Sequence, residues 1–356
     1  MICDKIIIRT TTGEISMNSI LRLAYNSFEY IRKKKRLNSP PMQLSIEPTN
    51  ICNFRCTFCP QSNPDNRSRK RGKMSLEQCK SILERAINDF YPDPRNRKIS
   101  FTHDGEPFMN QQFIEFLKIA ARLKYIIKFA SNGYLAKKEL IDSLISSRVR
   151  FNICVDFTSD IEIFEKYRGF KGSFEIVYQN LRYLIAKAKE TGLIFVDVCD
   201  ISSYYISEPT ELDARFFKLQ ELFNDLNSTR VSFSKRIFHS MAGTVSLPSP
   251  GKLDRRKYRL CPYPWFNMNI TWCGDVVPCC RDLTSKTVLG NVFEVDSLWK
   301  IWNSPDYYSL REALINGKPQ SVDACRGCEL PYDSTRWTPT YMINAVKSRL
   351  LRYGRK

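Results

Sequence analysis

Short apolar runs and longer amphipathic runs alternate along residues 42–236. Six of the short runs, "MQLSIEP" (42–48), "KISFTHD" (98–104), "YIIKFAS" (125–131), "VRFNICVDF" (149–157), "LIFVDVCDI" (193–201) and "TRVSFSKR" (229–236), are rich in β-branched and aromatic residues. That composition and length predict buried parallel strands. Between them the apolar positions recur at helical spacing. In "SLEQCKSILERAINDF", Leu76, Cys79, Ile82, Leu83, Ala86, Ile87 and Phe90 fall on one stripe, and Ser75 with Gln78 has the form of a capping box. "FIEFLKIAARL", "KKELIDSLISS", "FEIVYQNLRYLIAKAKETG" and "ELDARFFKLQELFNDL" predict further helices, the third stopped by Gly192. Six β–α alternations imply a parallel sheet with crossover helices, either doubly wound or barrel-like.

The pattern breaks near residue 240, where "SMAGTVSLPSPGK" reads as a loop. A second, turn-rich, cysteine-bearing module is expected over 241–335, with a basic tail at 336–356. Residues 1–41 form a lead-in with a short hairpin around Gly13 and a helix near 18–35. No apolar run reaches the roughly 18 residues that span a bilayer, and the N-terminus lacks a secretory signal pattern, so a cytoplasmic address is expected.

Charge adds a partner question. Lys and Arg number 55 against 37 Asp and Glu, a net +18, concentrated in "IRKKKR" (31–36), "RSRKRGK" (67–73), "DRRKYR" (254–259) and the tail. Such runs suit RNA, anionic lipid or a phosphorylated metabolite, or are simply solvated faces; no RNA-binding module signature accompanies them.

Thirteen cysteines are too few for a disulfide scaffold in a chain of 356 residues, and in a reducing compartment their clustering reads as metal ligation. The isolated Cys3, Cys79, Cys154 and Cys199 read as small apolar fillers. "CNFRCTFC" places Cys52, Cys56 and Cys59 in one loop after the first strand, where α/β folds carry their active sites. Zinc prefers paired cysteines with a second pair following, whereas an iron–sulfur cubane tolerates three thiolates and leaves one iron open.

C-x₃-C-x₂-C with Phe58 before its last cysteine resembles the signature of the radical S-adenosylmethionine superfamily. Later strand ends extend the likeness. "HDGEP" (103–107) resembles the family's methionine-binding turn, with Asp104 in place of its first glycine. "ASNG" (130–133) resembles the following Asn-Gly turn. In "FNICVDF" Asp156 is kept while Cys154 replaces the usual serine, and "EKYRGFKGS" supplies Arg168. The resemblance covers roughly 42–236. It implies a partial (β/α)6 TIM-like barrel, a [4Fe–4S] cluster on Cys52, Cys56 and Cys59, and S-adenosylmethionine at its open iron. Phe58, Gly105, Glu106, Pro107, Asn132, Asp156 and Arg168 would line that cofactor. It also implies a 5′-deoxyadenosyl radical that abstracts a substrate hydrogen, and a reductant such as flavodoxin or ferredoxin.

In the terminal module, Cys261, Cys279 and the "CRGC" pair Cys325 and Cys328 suit a four-thiolate zinc or iron–sulfur site. The spacing is similar to a SPASM domain shortened to its twitch form. It implies one auxiliary [4Fe–4S] cluster on those four residues, with Cys280 an alternative to Cys279 and Cys273 a bystander. The expected substrate is a small polar metabolite, a sugar or aminocyclitol that is oxidised or epimerised. A ribosomal peptide or protein side chain, and then RNA, are the alternatives. No catalytic acid or base is identified.

Overall fold

The structure is a computed structural model describing residues 7–10, 13–63, 69–236, 239–245 and 257–333, with side chains from residue 20 onward. Parts of the basic runs at 67–73 and 254–259, the tail, and Cys3 lie outside these residues. The expected hairpin forms from β1 (Ile7–Thr10) and β2 (Gly13–Ser16), antiparallel with Thr10 opposite Gly13. Helix α1 (Met17–Ile31) follows at once.

The main sheet begins with β3 (Gln43–Ile46) and continues through β4 (Lys98–Phe101), β5 (Ile126–Ser131), β6 (Phe151–Phe157), β7 (Ile194–Asp200) and β8 (Val231–Lys235), neighbours in that order and all parallel. The crossovers are α2 (Leu76–Asp89), α3 (Phe113–Arg122), α4 (Lys138–Ser146), α5 (Ile161–Arg168), α6 (Ser173–Thr191) and α7 (Pro209–Glu221). This is the partial (β/α)6 barrel. Ser75 caps α2 as its sequence predicts: the Gln78 amide donates to Ser75 Oγ at 3.2 Å and the Ser75 amide donates to Gln78 Oε1 at 2.8 Å. Gly192 ends α6 at φ +64.

Two features go beyond the sequence pattern. Helix α5 was not expected; Asp160 caps its start, accepting from the Ile163 amide at 2.9 Å, and Gly169 closes it. The sheet also does not stop at six strands. β9 (Asn267–Ile270), from the terminal module, pairs in parallel with β3, and β10 (Val276–Val277) pairs antiparallel with β9. The module adds α8 (Tyr263–Phe266), α9 (Leu298–Trp302) and α10 (Pro305–Ile315), more helix than its turn-rich sequence implies.

Period-two alternation on β6 separates two environments. Phe151, Ile153, Val155 and Phe157 join the apolar core beneath the helices, with Phe101, Phe113, Phe116 and Phe129. Asn152, Cys154 and Asp156 take the opposite face, towards the barrel lumen.

Candidate active site

The cysteine loop leaves β3 at its carboxyl end and is pinned on two sides. On one side the Arg55 amide donates to the Arg168 carbonyl at 3.3 Å and the Thr57 amide to the Tyr167 carbonyl at 2.9 Å. Gly169, at φ +64, lies so close that a Cβ there would stand 2.3 Å from the Arg55 carbonyl oxygen. On the other side the Glu106 amide donates to the Ile51 carbonyl at 2.9 Å, and Gly105, at φ +74, passes the Thr49 carbonyl with no room for a side chain.

Cys56 is buried and Cys52 and Cys59 partly so. Loss of solvent raises all three thiols, Cys52 to about 12, and the charge of Cys56 adds to the rise at both Cys52 and Cys59. Arg168 opposes this for Cys52 and Cys56, its guanidinium being buried against the Phe54 and Phe164 rings at 5.1 and 5.7 Å. Three neutral thiols crowded in one loop are poor as free groups and well placed to lose their protons to a cationic centre. Glu106 is fully enclosed and burial lifts it to about 7. It accepts from Ser131 Oγ at 2.9 Å and from the Asn132 amide at 2.7 Å, which fixes the Asn-Gly turn. Asn132 then donates from Nδ2 to Asn53 Oδ1 at 2.8 Å, directly over the cysteine loop. Pro107 is buried behind Glu106. The sequence-predicted residues of this set thus converge on one end of the sheet.

Phe58 stacks on Tyr204, centroids 4.2 Å apart and 7° from parallel. Asp156 lies 3.9 Å from Arg168 and pairs with Arg236. Tyr204 and Arg236 carried no sequence signal beyond their place at strand ends, because nothing in the local pattern says what faces them. Glu47 was also missed. It terminates β3 fully buried, accepts from Arg69 Nη1 at 2.9 Å and from the Trp272 amide at 2.9 Å, and ties the barrel to the terminal module. A charged residue ending an apolar strand was the available clue.

The filler reading holds for Cys79, in the apolar core, and is corrected for Cys154 and Cys199. Their Sγ atoms meet at 3.1 Å on the polar lumen face. Arg236 donates to Cys154 Sγ at 3.4 Å, Cys199 Sγ meets Ser234 Oγ at 3.2 Å, and Asp197 accepts from Ser232 and Ser234 at 2.9 and 3.1 Å. The Cys199 hydrogen bond, with help from Arg236, lowers the Cys154 thiol, while Cys199 is pushed well up. Strand register explains the pairing: Cys154 sits opposite Asp197 and Asp156 opposite Cys199, which makes the thiols diagonal neighbours.

In the terminal module Cys261, Cys279, Cys325 and Cys328 come together: the charges of Cys325, Cys328 and Cys261 all bear on Cys279, and the neighbouring Cys280 bears on both Cys279 and Cys261, so it too borders the set. Loss of solvent raises every one, Cys261 to about 12. Arg281 and Glu329 form a buried ion pair at 2.7 Å beside them. Gly327 within "CRGC" abuts Gly243 with no space for a Cβ on either. Cys273 instead meets Thr271 and Asp275, each at 3.3 Å, outside the four.

Cys154, Asp156 and Cys199 are the one trio of His, Cys, Asp or Glu among the described residues whose ligand atoms all lie within 4.8 Å of one another. Arg236 already supplies a cation there. The two larger cysteine sets are spread more widely. A single tetrahedral zinc with sulfurs at ~2.3 Å would hold them roughly 3.8 Å apart. All-thiolate donors at the wider spacing fit iron–sulfur clusters.

Comparison with known proteins agrees. Residues 46–198 match the radical SAM superfamily and residues 261–329 the SPASM iron–sulfur cluster-binding domain. The chain is 24% identical over 159 residues to GTP 3′,8-cyclase of Vibrio parahaemolyticus, spanning 41% of this chain and 46% of that one, under half its length. It is 22% identical over 291 residues to the S-adenosyl-L-methionine-dependent 2-deoxy-scyllo-inosamine dehydrogenase of Niallia circulans, 80% and 91% of the two chains. Against the PqqA peptide cyclase of Gluconobacter oxydans it is 23% identical over 319 residues, 82% and 84%. The crystal structure of BtrN in complex with AdoMet and 2-DOIA shares the fold, with TM-score 0.53, 17% identity, and 82% of this chain and 94% of that chain covered.

Proposed function

Since the chain is a radical S-adenosylmethionine enzyme with an auxiliary iron–sulfur domain, we propose that it oxidises or epimerises a carbon of a small polar metabolite, a sugar or aminocyclitol. A reduced [4Fe–4S] cluster with bound S-adenosylmethionine supplies hydrogen-atom abstraction from an unactivated C–H bond. Cys52, Cys56 and Cys59 hold that cluster, and Cys261, Cys279, Cys325 and Cys328 the auxiliary one. Gly105–Pro107 and Asn132 seat the methionine end of the cofactor, Glu106 orients Asn132, and Arg168 and Asp156 meet its polar groups. Phe58 and Tyr204 form an aromatic wall that keeps water from the reacting carbon.

The observation that carries the substrate reading is the lumen face of β6–β8. It presents Asp156, Asp197, Ser232, Ser234 and Arg236 around the thiol pair, a dense set of donors and acceptors suited to a hydroxylated or aminated ring. The match to an aminocyclitol dehydrogenase, over 80% of this chain and 91% of that one, supports it. The similarly long match to a peptide cyclase supports a second reading, modification of a ribosomal peptide.

The test is anaerobic reconstitution with dithionite and S-adenosylmethionine, scored by 5′-deoxyadenosine release. Ring-deuterated cyclitols and amino sugars are then added. Deuterium appearing in 5′-deoxyadenosine supports the metabolite reading. Cofactor cleavage with no transfer from any of these substrates, but with transfer from a deuterated peptide, replaces it with the second.

A further inference from the structure

Helix α1 presents apolar side chains on both faces. Its inward face combines Leu23 and Tyr30, packed against the core, with polar anchors. Asn26 donates to the Pro40 carbonyl at 2.9 Å and Tyr30 to the Leu260 carbonyl at 2.6 Å. Glu29, fully buried, accepts from the Asn38 and Ser39 amides at 3.0 Å each, and Arg22 lies over the Tyr91 ring at 4.7 Å. The outward stripe is apolar: Leu21, Tyr25, Phe28 and Ile31, at i, i+4, i+7 and i+10, are 58, 44, 50 and 71% exposed. Among the described residues, no other helix carries more than one large exposed apolar side chain, which is ordinary; four on one helix face are not.

The stripe runs straight into Arg32, Lys33, Lys34, Lys35 and Arg36. Lys34 and Lys35 are drawn towards Glu29 and Glu312, at 3.6 and 2.7 Å, while Arg32, Lys33 and Arg36 stand exposed. Lys35 also covers the half-exposed Tyr308 ring at 4.5 Å, which widens the patch. An aliphatic and aromatic stripe edged by cations is the composition that settles into the interface of an anionic bilayer, apolar side chains among the upper acyl carbons and cations at the headgroups.

We propose that the outer face of α1 with residues 32–36 is a peripheral docking surface for an anionic lipid bilayer. Charge argues against a second copy, which would oppose two five-cation runs in a protein already at +18. It suits a polyanion, but Leu21, Phe28 and Ile31 offer phosphate groups of RNA nothing, whereas lipid uses both halves of the patch. No described helix is long and apolar enough to cross a membrane, so the attachment is peripheral. Its position is compatible with catalysis. The residues that anchor α1, Pro40, Pro41 and Trp265, precede β3 and β9, so the helix lies at the end of the barrel where strands begin. The cysteine loop is at the other end, facing away from the bound surface.

The test is flotation of the reconstituted holoenzyme with phosphatidylcholine vesicles made with and without phosphatidylglycerol. Binding is expected with the anionic vesicles alone, weakening at high salt. Phe28→Ser/Ile31→Ser is expected to weaken it at least tenfold while iron content and 5′-deoxyadenosine release stay unchanged. Should the double variant fold poorly, Phe28→Trp reports the same contact, its fluorescence shifting to the blue on anionic vesicles. Absence of flotation, equal binding to pure phosphatidylcholine, or binding unaltered in the double variant overturns the proposal. So does a dimer in solution that Phe28→Ser/Ile31→Ser converts to monomer, which would assign the face to a second copy.

Discussion

Gly169→Ala isolates how the cysteine loop is held. Gly169 and Gly172 flank the turn between α5 and α6, at φ +64 and +77. A Cβ at Gly172 would meet nothing within 4 Å, whereas one at Gly169 would stand 2.3 Å from the Arg55 carbonyl oxygen and 2.9 Å from its carbon. Both alanines pay the left-handed backbone penalty of about 1–2 kcal/mol, partly offset by roughly 0.4–1 kcal/mol from a stiffer unfolded chain. Gly172→Ala is therefore expected to cost about 1 kcal/mol. Gly169→Ala adds an overpacking cost of typically ~1–3 kcal/mol, because the atom in the way is backbone. The loop must yield, and it carries Cys56, whose neighbours Arg55 and Thr57 bond to residues 168 and 167. Urea unfolding of the metal-free protein measures the energies, and iron and sulfide analysis after reconstitution measures the consequence. Gly169→Ala should be at least 1 kcal/mol less stable than Gly172→Ala and retain less iron at the first cluster. Equal stability and equal iron in the two variants would refute the idea that this close approach positions the loop.

Other expectations follow from the site. Full reconstitution should give about eight irons per chain, and Cys261→Ala/Cys325→Ala about four; zinc recovered in the terminal module instead would contradict the cluster assignment. Cys154, held below the ordinary thiol range chiefly by the Cys199 hydrogen bond, is deprotonated at lower pH than a free thiol. Alkylation of the 151–166 peptide should therefore persist below that range, and Cys199→Ala or Arg236→Gln should move the midpoint upward; a midpoint that neither variant moves would count against the pairing. The sign for stability is that of a depressed acid: the contribution is present above the unfolded thiol's pKa and is lost as pH falls through the folded value. Arg281→Met should destabilise by about 3–5 kcal/mol in urea because Glu329 is left charged and buried, and Arg281→Met/Glu329→Leu should recover much of it; a single variant as stable as the parent would show that the pair is solvated.

Much of the barrel was legible because each of its signals is local. Short β-branched and aromatic runs mark β3–β8, 3.6-residue patterns mark five of the crossover helices, and the Ser75/Gln78 box and Gly192 stop report their own backbone geometry. The three clustered cysteines, the Gly105-Glu106-Pro107 turn and Asn132 stand at successive strand ends, so a parallel sheet alone brings them near one another. Helix α5 escaped notice because eight residues give two turns, too few for a stripe to stand out.

What the chain could not announce depends on pairing at a distance. The joining of β9 to β3, more than two hundred residues apart, is decided by edge hydrogen bonds that no local pattern encodes. The same holds for Glu47 bridging two modules, for Arg236 reaching Asp156, and for Tyr204 beneath Phe58. Cys154 and Cys199 show the difference most plainly. As letters in apolar runs they are two small buried residues. The register of β6 on β7 turns both towards the lumen and sets them diagonally opposite, where sulfur meets sulfur beside a guanidinium. Composition determined that they would be buried; the register of two strands decided that they would meet.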